Sequence, residues 1–228
     1  MREYEMKSNY VSCKNQFFKS FDKSVDRSKR VLISRYGNER AHSLINEARR
    51  EYEVLIPQIP FIGHRNPFLI FLLPTSRYLA IYRVLQRAGL TIEESGQVIY
   101  QMNECELNAI PVFLRRMIGY LWFSPLYIWR LKKRAKESQK RKYPGGYVLD
   151  FVKGDGRSFD YGLDYIECAG CKLLDQQGAP ELAPLLCNLD KSCSEILDWG
   201  LTRTMTIAKG YQKCDFRFKK GGKTNIES

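Results

Sequence analysis

The stretch YPGGYVLDFVKGDGRSFDYGLDYIEC, Tyr143 to Cys168, decides the fold. Upstream of it the chain is rich in helix formers and charge. At Tyr143-Pro144-Gly145-Gly146 the character changes. Tyr147 to Lys153 (YVLDFVK) alternates as a strand does, GDGRS is a turn, and Phe159 to Cys168 contains a second strand. Downstream, a helix is expected from about Glu181 to Leu197, followed by two short strands in TRTMTIAKGYQKCDFRF, Thr202 to Phe218. The expected architecture is therefore α+β, a helical N-terminal half packed on a C-terminal ββαββ antiparallel sheet.

Working outward, four stretches separate. Residues 1–60 form a charged helical segment in which Ala41, Leu44, Ile45 and Ala48 share one face at i, i+3, i+4 and i+7. Three prolines and a glycine in IPQIPFIGHRNP end it. Residues 61–142 are a second helical region. There Thr91 stands as N-cap with Glu94 at the capping-box position. Residues 143–221 form the cysteine-containing α+β domain, expected to be one compact unit with 61–142, and 222–228 read as a flexible tail.

With 44% hydrophobic and 13% aromatic residues in 228, the chain can bury a core and global disorder is excluded. The formal charge of +12 raises nucleic acid or an anionic surface as partners. More than half of it sits in Arg130 to Lys142, with eight basic residues and one glutamate. No RRM, zinc-finger or helix-turn-helix signature accompanies the run, so nucleic acid is disfavoured. A solvated helix end, or a basic rim attracting an anionic small molecule, explains it as well. Met117 to Trp129 is apolar and aromatic and runs into this cluster. That pattern suits either a core helix pair with a basic end or peripheral membrane contact. The start, MREYEMKSNYVSCKNQ, lacks an apolar export signal, so a cytoplasmic protein with free thiols is expected from the seven cysteines. Self-association as a homo-oligomer stays open.

Cys168, Cys171, Cys187 and Cys193 have spacing C-x2-C-x15-C-x5-C, which departs from a zinc ribbon. On the expected helix Leu182, Leu185, Leu186, Leu189, Cys193 and Ile196 form an apolar stripe, which makes Cys193 a core residue. Cys187 lies off it, beside Asp190 at i+3 and Ser194 at i+7. A thiol and a carboxylate on one flank make a candidate site, against a half-buried cysteine beside a solvated aspartate. Cys168 and Cys171 stand near a helix start, where backbone N–H groups lower a thiol's pKa. A redox pair, half a metal site and two inert thiols all stay open for them. Glu167 is a candidate acid or base if it faces the same cavity.

In the last strand pair, Leu201, Met205 and Ile207 share a face with Arg203, and Cys214 shares one with Phe216 and Phe218. For these faces to coincide, paired residue numbers must sum to an odd number. A two-residue Lys209-Gly210 loop would then oppose Arg203 to Phe216 and Met205 to Cys214. An arginine on an apolar inner face needs a carboxylate, from the protein or from a ligand. Asp215 and Arg217 point to the other face. His42 and His64 are read as structural or surface residues, with His64 the weaker site candidate.

Several ordered elements occur together: Glu167-Cys168-x-x-Cys171, Cys187-x-x-Asp190, Arg203-Thr204-x-Thr206-Ile207-Ala208-x-Gly210 and Cys214-Asp215-Phe216-Arg217. As an ensemble they closely resemble the L-2-amino-thiazoline-4-carboxylic acid hydrolase family, strongly over residues 138–221. The resemblance implies opening of an aminothiazoline ring at its C=N bond by water, giving an N-carbamoyl-cysteine-type product. The chemistry needs an activated water or thiolate, a proton donor and a carboxylate anchor. Geometry offers Cys187 with Asp190, or Cys214, for the first two roles, and Arg203 with Thr206 for an anionic substrate. The domain is also loosely similar to small-molecule-binding domains named after vinyl reductase. That likeness implies the alternative, a non-catalytic sensor in which Cys168, Cys171 and Cys187 hold zinc.

Overall fold

The computed structural model describes residues 10, 12–63 and 66–227; His64 lies outside them. Two long helices come first, α1 (Lys14–Ser28) and α2 (Arg30–Leu55). Gly37, with φ of +75°, interrupts α2 where an L side chain would be strained, so the regular helix restarts beyond it. Ala41, Leu44 and Ala48 are buried on its inner face as their spacing predicts. The proline-rich stretch ends the helix in a short 3-10 turn, Ile56–Gln58.

Helices α3 (Leu69–Arg87) and α4 (Ile92–Asn108) follow. Pro74 sits within α3 without ending it. Thr91 and Glu94 form the full capping box that starts α4. Where α3 meets α4, Arg77 Nη2 donates to both carboxylate oxygens of Glu106, at 3.2 and 2.9 Å. The Tyr78 hydroxyl donates to Glu106 at 3.0 Å, and Asn103 Nδ2 to the Ser192 hydroxyl at 2.8 Å. This buried polar chain fixes the helical half against the helix that carries Asp190. A hairpin of α5 (Val112–Trp122) and α6 (Pro125–Ser138) leads into the sheet.

Strands β1 (Val148–Lys153) and β2 (Tyr161–Glu167) are an antiparallel pair. Their turn is closed by the Asp155 carboxylate, which accepts from the N–H groups of Arg157 and Ser158, both at 2.8 Å. Then come α7 (Ala169–Gln176), α8 (Leu182–Cys187), α9 (Leu189–Leu197), β3 (Leu201–Arg203), β4 (Cys214–Phe218) and β5 (Asn225–Ile226). The sheet order is β1-β2-β4-β3-β5. The architecture is α+β, as expected.

Four details differ from the sequence reading. The helix expected over Glu181 to Leu197 breaks at Asn188 into α8 and α9. Ser194 thereby turns from the Cys187 flank toward the sheet, where its hydroxyl accepts from Leu201 N–H at 3.0 Å. The β3–β4 register is the expected one, with Leu201 opposite Phe218 and Thr202 opposite Arg217, but the tight Lys209-Gly210 hairpin is absent. Instead the Asp215 carboxylate takes the N–H groups of Thr204, at 2.9 Å, and Met205, at 2.6 Å. Those bonds pull the chain out of the ladder and into a 3-10 turn, Ile207–Lys209. Met205 therefore does not oppose Cys214. Lastly, the sheet is mixed. The segment expected as a tail supplies β5, which runs parallel to β3 with Arg203 opposite Ile226.

The inner sheet face carries Leu149, Tyr161, Leu163 and Phe218, all nearly inaccessible. The outer face carries Asp164, which holds Lys213 at 2.6 Å and Arg217 at 2.7 Å. The hairpin is fastened to α9 at Gly119, where a Cβ would lie 2.5 Å from the Leu197 carbonyl oxygen. Trp122 stacks on Trp199 just beyond, at 4.3 Å between ring centroids. Gly119→Val is expected to cost about 2 kcal/mol through overpacking. Thermal unfolding should show this as a drop of about 4–8 °C.

Candidate functional site

Six elements converge at one end of the sheet. Cys168 is the N-cap of α7, Cys187 ends α8, Asp190 lies in the first turn of α9, Arg203 ends β3, Thr206 opens the 3-10 turn, and Cys214 begins β4. Arg203 is the centre. It is 1% exposed and stands over the Phe216 ring, 5.6 Å from its centroid. Its Nη1 donates to the Cys187 carbonyl at 2.9 Å and pairs with the Asp190 carboxylate. The helix break makes the first contact available. Lys191 N–H bonds to Asn188 O, leaving the Cys187 carbonyl free to turn toward the guanidinium.

The other edge of the guanidinium is open. Arg203 Nε and Nη2 are buried and have no hydrogen-bond partner, and neither has the hydroxyl of Thr206, which is 2% exposed. Orphaned buried donors cost stability. The Nε and Nη2 hydrogens are parallel and spaced to fit the two oxygens of a carboxylate. One edge of this buried arginine is used structurally, and the other has no protein partner.

The four thiols around it are near enough to influence one another's ionisation, yet they divide sharply. Cys168 is held below the ordinary thiol value, first by the adjacent Cys171 thiol, then by the N–H groups of Cys171 and Gly170 at the start of α7. These N–H groups face the sulfur without closing a regular capping bond. Cys171 is pushed up in return, because its own proton is held in the bond to the Cys168 sulfur, and burial adds to this. Burial raises Cys187 well above the ordinary range and Cys214 to about 12. The Cys214 sulfur also accepts from Ile207 N–H at 3.2 Å, which anchors the 3-10 turn. Asp190 is raised to about 6 by burial, with Arg203 pulling the other way. Tyr147 and Tyr165 line the same space, kept as neutral hydroxyls by burial.

Other sequence candidates lie differently. Glu167 is at the rim, paired with Lys172 and Arg141, so its carboxylate is already occupied by two cations. Cys193 packs against the core as expected, with its thiol raised to about 12 by burial. His42 is on the surface, where Nδ1 bonds the Asn38 carbonyl at 2.8 Å. All seven cysteines are free thiols. Among the described residues no three His, Cys, Asp or Glu side chains converge to hold a metal ion, so zinc on Cys168, Cys171 and Cys187 has no preformed site. The sequence reading named neither Tyr147 nor Tyr165. A signal existed for Tyr165, since strand alternation from Tyr161 and Leu163 puts it on the inner face.

The α+β frame thus brings four cysteines and a half-satisfied buried arginine to one end of the sheet. The family model for L-2-amino-thiazoline-4-carboxylic acid hydrolase matches residues 78–218, and the chain belongs to that family. The match runs from the third turn of α3 to the last residue of β4, so the helical half from Tyr78 onward is part of the family's unit. No curated protein and no solved structure matches the chain.

Two outcomes follow from the geometry. Asp190→Leu leaves the buried guanidinium without its counter-ion and should cost about 3 kcal/mol in denaturant unfolding. Combining it with Arg203→Met should recover part of that loss. Iodoacetamide at neutral pH should alkylate Cys168 ahead of Cys187 and Cys214, as peptide mass spectrometry would show. Equal labelling of the three would remove the distinction between their thiols.

Proposed function

We propose that the protein hydrolyses a small cyclic amidine carboxylate of the 2-amino-thiazoline-4-carboxylate type, with Cys168 as nucleophile. The observation that carries the reading is the unfilled Nε/Nη2 edge of Arg203, with the buried Thr206 hydroxyl also unpartnered three residues on. Together they make a carboxylate anchor within the thiol cluster. The family's name supplies the substrate class.

With the substrate carboxylate on Arg203 and Thr206, the amidine carbon of the ring is presented to the Cys168 thiolate. Sulfur attacks that carbon to give a tetrahedral adduct. Two ring bonds at this carbon can then break. A thiol has an ordinary pKa of about 8.5, far below that of an amine leaving as its anion, so ring sulfur departs and ring nitrogen stays. The departing sulfur leaves as its thiolate and takes a proton from water. What remains is an amidino group on Cys168. Water, losing its proton to Asp190, adds to the amidino carbon. Collapse expels the Cys168 thiolate and leaves an N-carbamoyl-cysteine product. The amidine C=N thus becomes the urea C=O, while the bond that opens the ring is C–S.

Rate should follow the ionisation of two groups. Asp190, raised to about 6, is protonated and useless as a base below that pH, and it becomes competent as pH rises through 6. The Cys168 thiolate adds a second rise below the ordinary thiol pKa. We expect kcat/KM to climb through pH 6 and Asp190→Asn to remove that limb.

Turnover is read by mass spectrometry of the product and by thiol release. Cys168→Ser should abolish turnover while leaving substrate binding intact. Thr206→Val should raise KM about 10- to 150-fold with kcat little changed, the effect of one lost hydrogen bond to a charged group. Stoichiometric binding of the thiazoline with no turnover at any pH would replace the hydrolase with a sensor. Full activity in Cys168→Ser would move the nucleophile to Cys187 or Cys214.

A further inference from the structure

Seven of the eleven large apolar side chains that stand exposed among the described residues lie on one feature, the α5–α6 hairpin. Phe113, Met117, Tyr120 and Leu121 follow i, i+4, i+7 and i+8 on α5, so they form a single outward stripe. Leu126 and Trp129 continue it on α6. Phe113 is 68% and Trp129 56% exposed, although the inner faces of the same helices are packed at Gly119, Trp122, Leu131 and Ala135. The apolar stripe is thus outside the core, and its residues are of the kind that settle among lipid headgroups.

Positive charge frames it. Arg116 lies within the stripe, Lys220 Nζ stands 5.0 Å from the Tyr120 ring centroid, and Lys133 Nζ stands 5.8 Å from that of Trp129. Beyond Trp129 the outward positions of α6 become Arg130, Lys133 and Lys136. The single acid of the run, Glu137, is held by Arg134 at 2.9 Å. No helix among the described residues is long and apolar enough to cross a membrane, so the hairpin could only lie in the interface.

We propose that the α5–α6 hairpin docks the protein on an anionic lipid bilayer, its aromatic and aliphatic stripe entering the headgroup layer and its basic rim neutralising lipid phosphates and carboxylates. A second copy of the chain fits the same face badly. A two-fold contact would press one basic run against another.

The test is flotation of the full chain with phosphatidylcholine vesicles, with and without phosphatidylserine. Binding should be more than about tenfold stronger to the anionic vesicles and should fall with added salt, as for several basic residues near a charged surface. Trp129, the exposed one of three tryptophans, should shift its emission to the blue on binding, whereas Trp122 and Trp199 are already buried. Phe113→Asp with Met117→Asp should weaken binding at least about tenfold, and Lys133→Glu with Lys136→Glu should remove the preference for anionic lipid. Both variants should keep the wild-type thermal transition and, without vesicles, the wild-type ring-opening rate. Absent or lipid-independent flotation would overturn the proposal. So would concentration-dependent dimerisation that Phe113→Asp abolishes in a protein that ignores vesicles.

Discussion

A guanidinium with almost no contact with water is the constraint around which the C-terminal half is arranged. Arg203 needs a counter-charge, and Asp190 supplies it from the first turn of α9. It needs a carbonyl, and the interruption at Asn188 frees the one on Cys187. Its backbone lies between β4 and β5, with its carbonyl accepting Glu227 N–H at 3.1 Å. A buried pair of this kind gives little net stability, because desolvation offsets most of the attraction. What it fixes is position: the arginine can sit in only one place, and one edge of it stays unspent.

Period-two alternation made part of this legible. It put Arg203, Cys214 and Phe216 on one face and Asp215 on the other, and the inter-strand register obeys the same parity. The helical half was legible at its caps and stripes, as at Thr91 and Ala41. Elsewhere tertiary bonds overrode local pattern. The Leu182 to Ile196 stripe has the period of one helix, yet a hydrogen bond from a residue sixteen positions away turns the Cys187 carbonyl aside. The hairpin fails for a similar reason, since Asp215 draws the N–H groups of Thr204 and Met205 away from the ladder. The Arg77–Glu106 pair spans 29 residues and joins two helices whose separate patterns give no hint of it.

The division among the thiols was only half visible. Small residues after Cys168 suggested a helix start, but the nearness of Cys171, Cys187 and Cys214 to that sulfur depends on the whole sheet. Cys168 sits where the Cys171 thiol and the first N–H groups of α7 favour the anion, Cys171 is raised first by its bond to Cys168, and Cys187 and Cys214 are raised by burial. The same desolvation keeps the Cys187 and Cys214 sulfurs protonated and makes them poor nucleophiles.

Helix α9 has a further consequence. It begins at the arginine's partner and ends under Gly119, a span of nine residues or about 13 Å. It is also pinned midway, where Asn103 bonds Ser192. Such a helix acts as a strut of set length between the outer hairpin and the inner charge. It cannot shorten or bend without breaking its own hydrogen bonds. The outer hairpin and the buried carboxylate are thus held at a set separation, about two and a half turns of backbone.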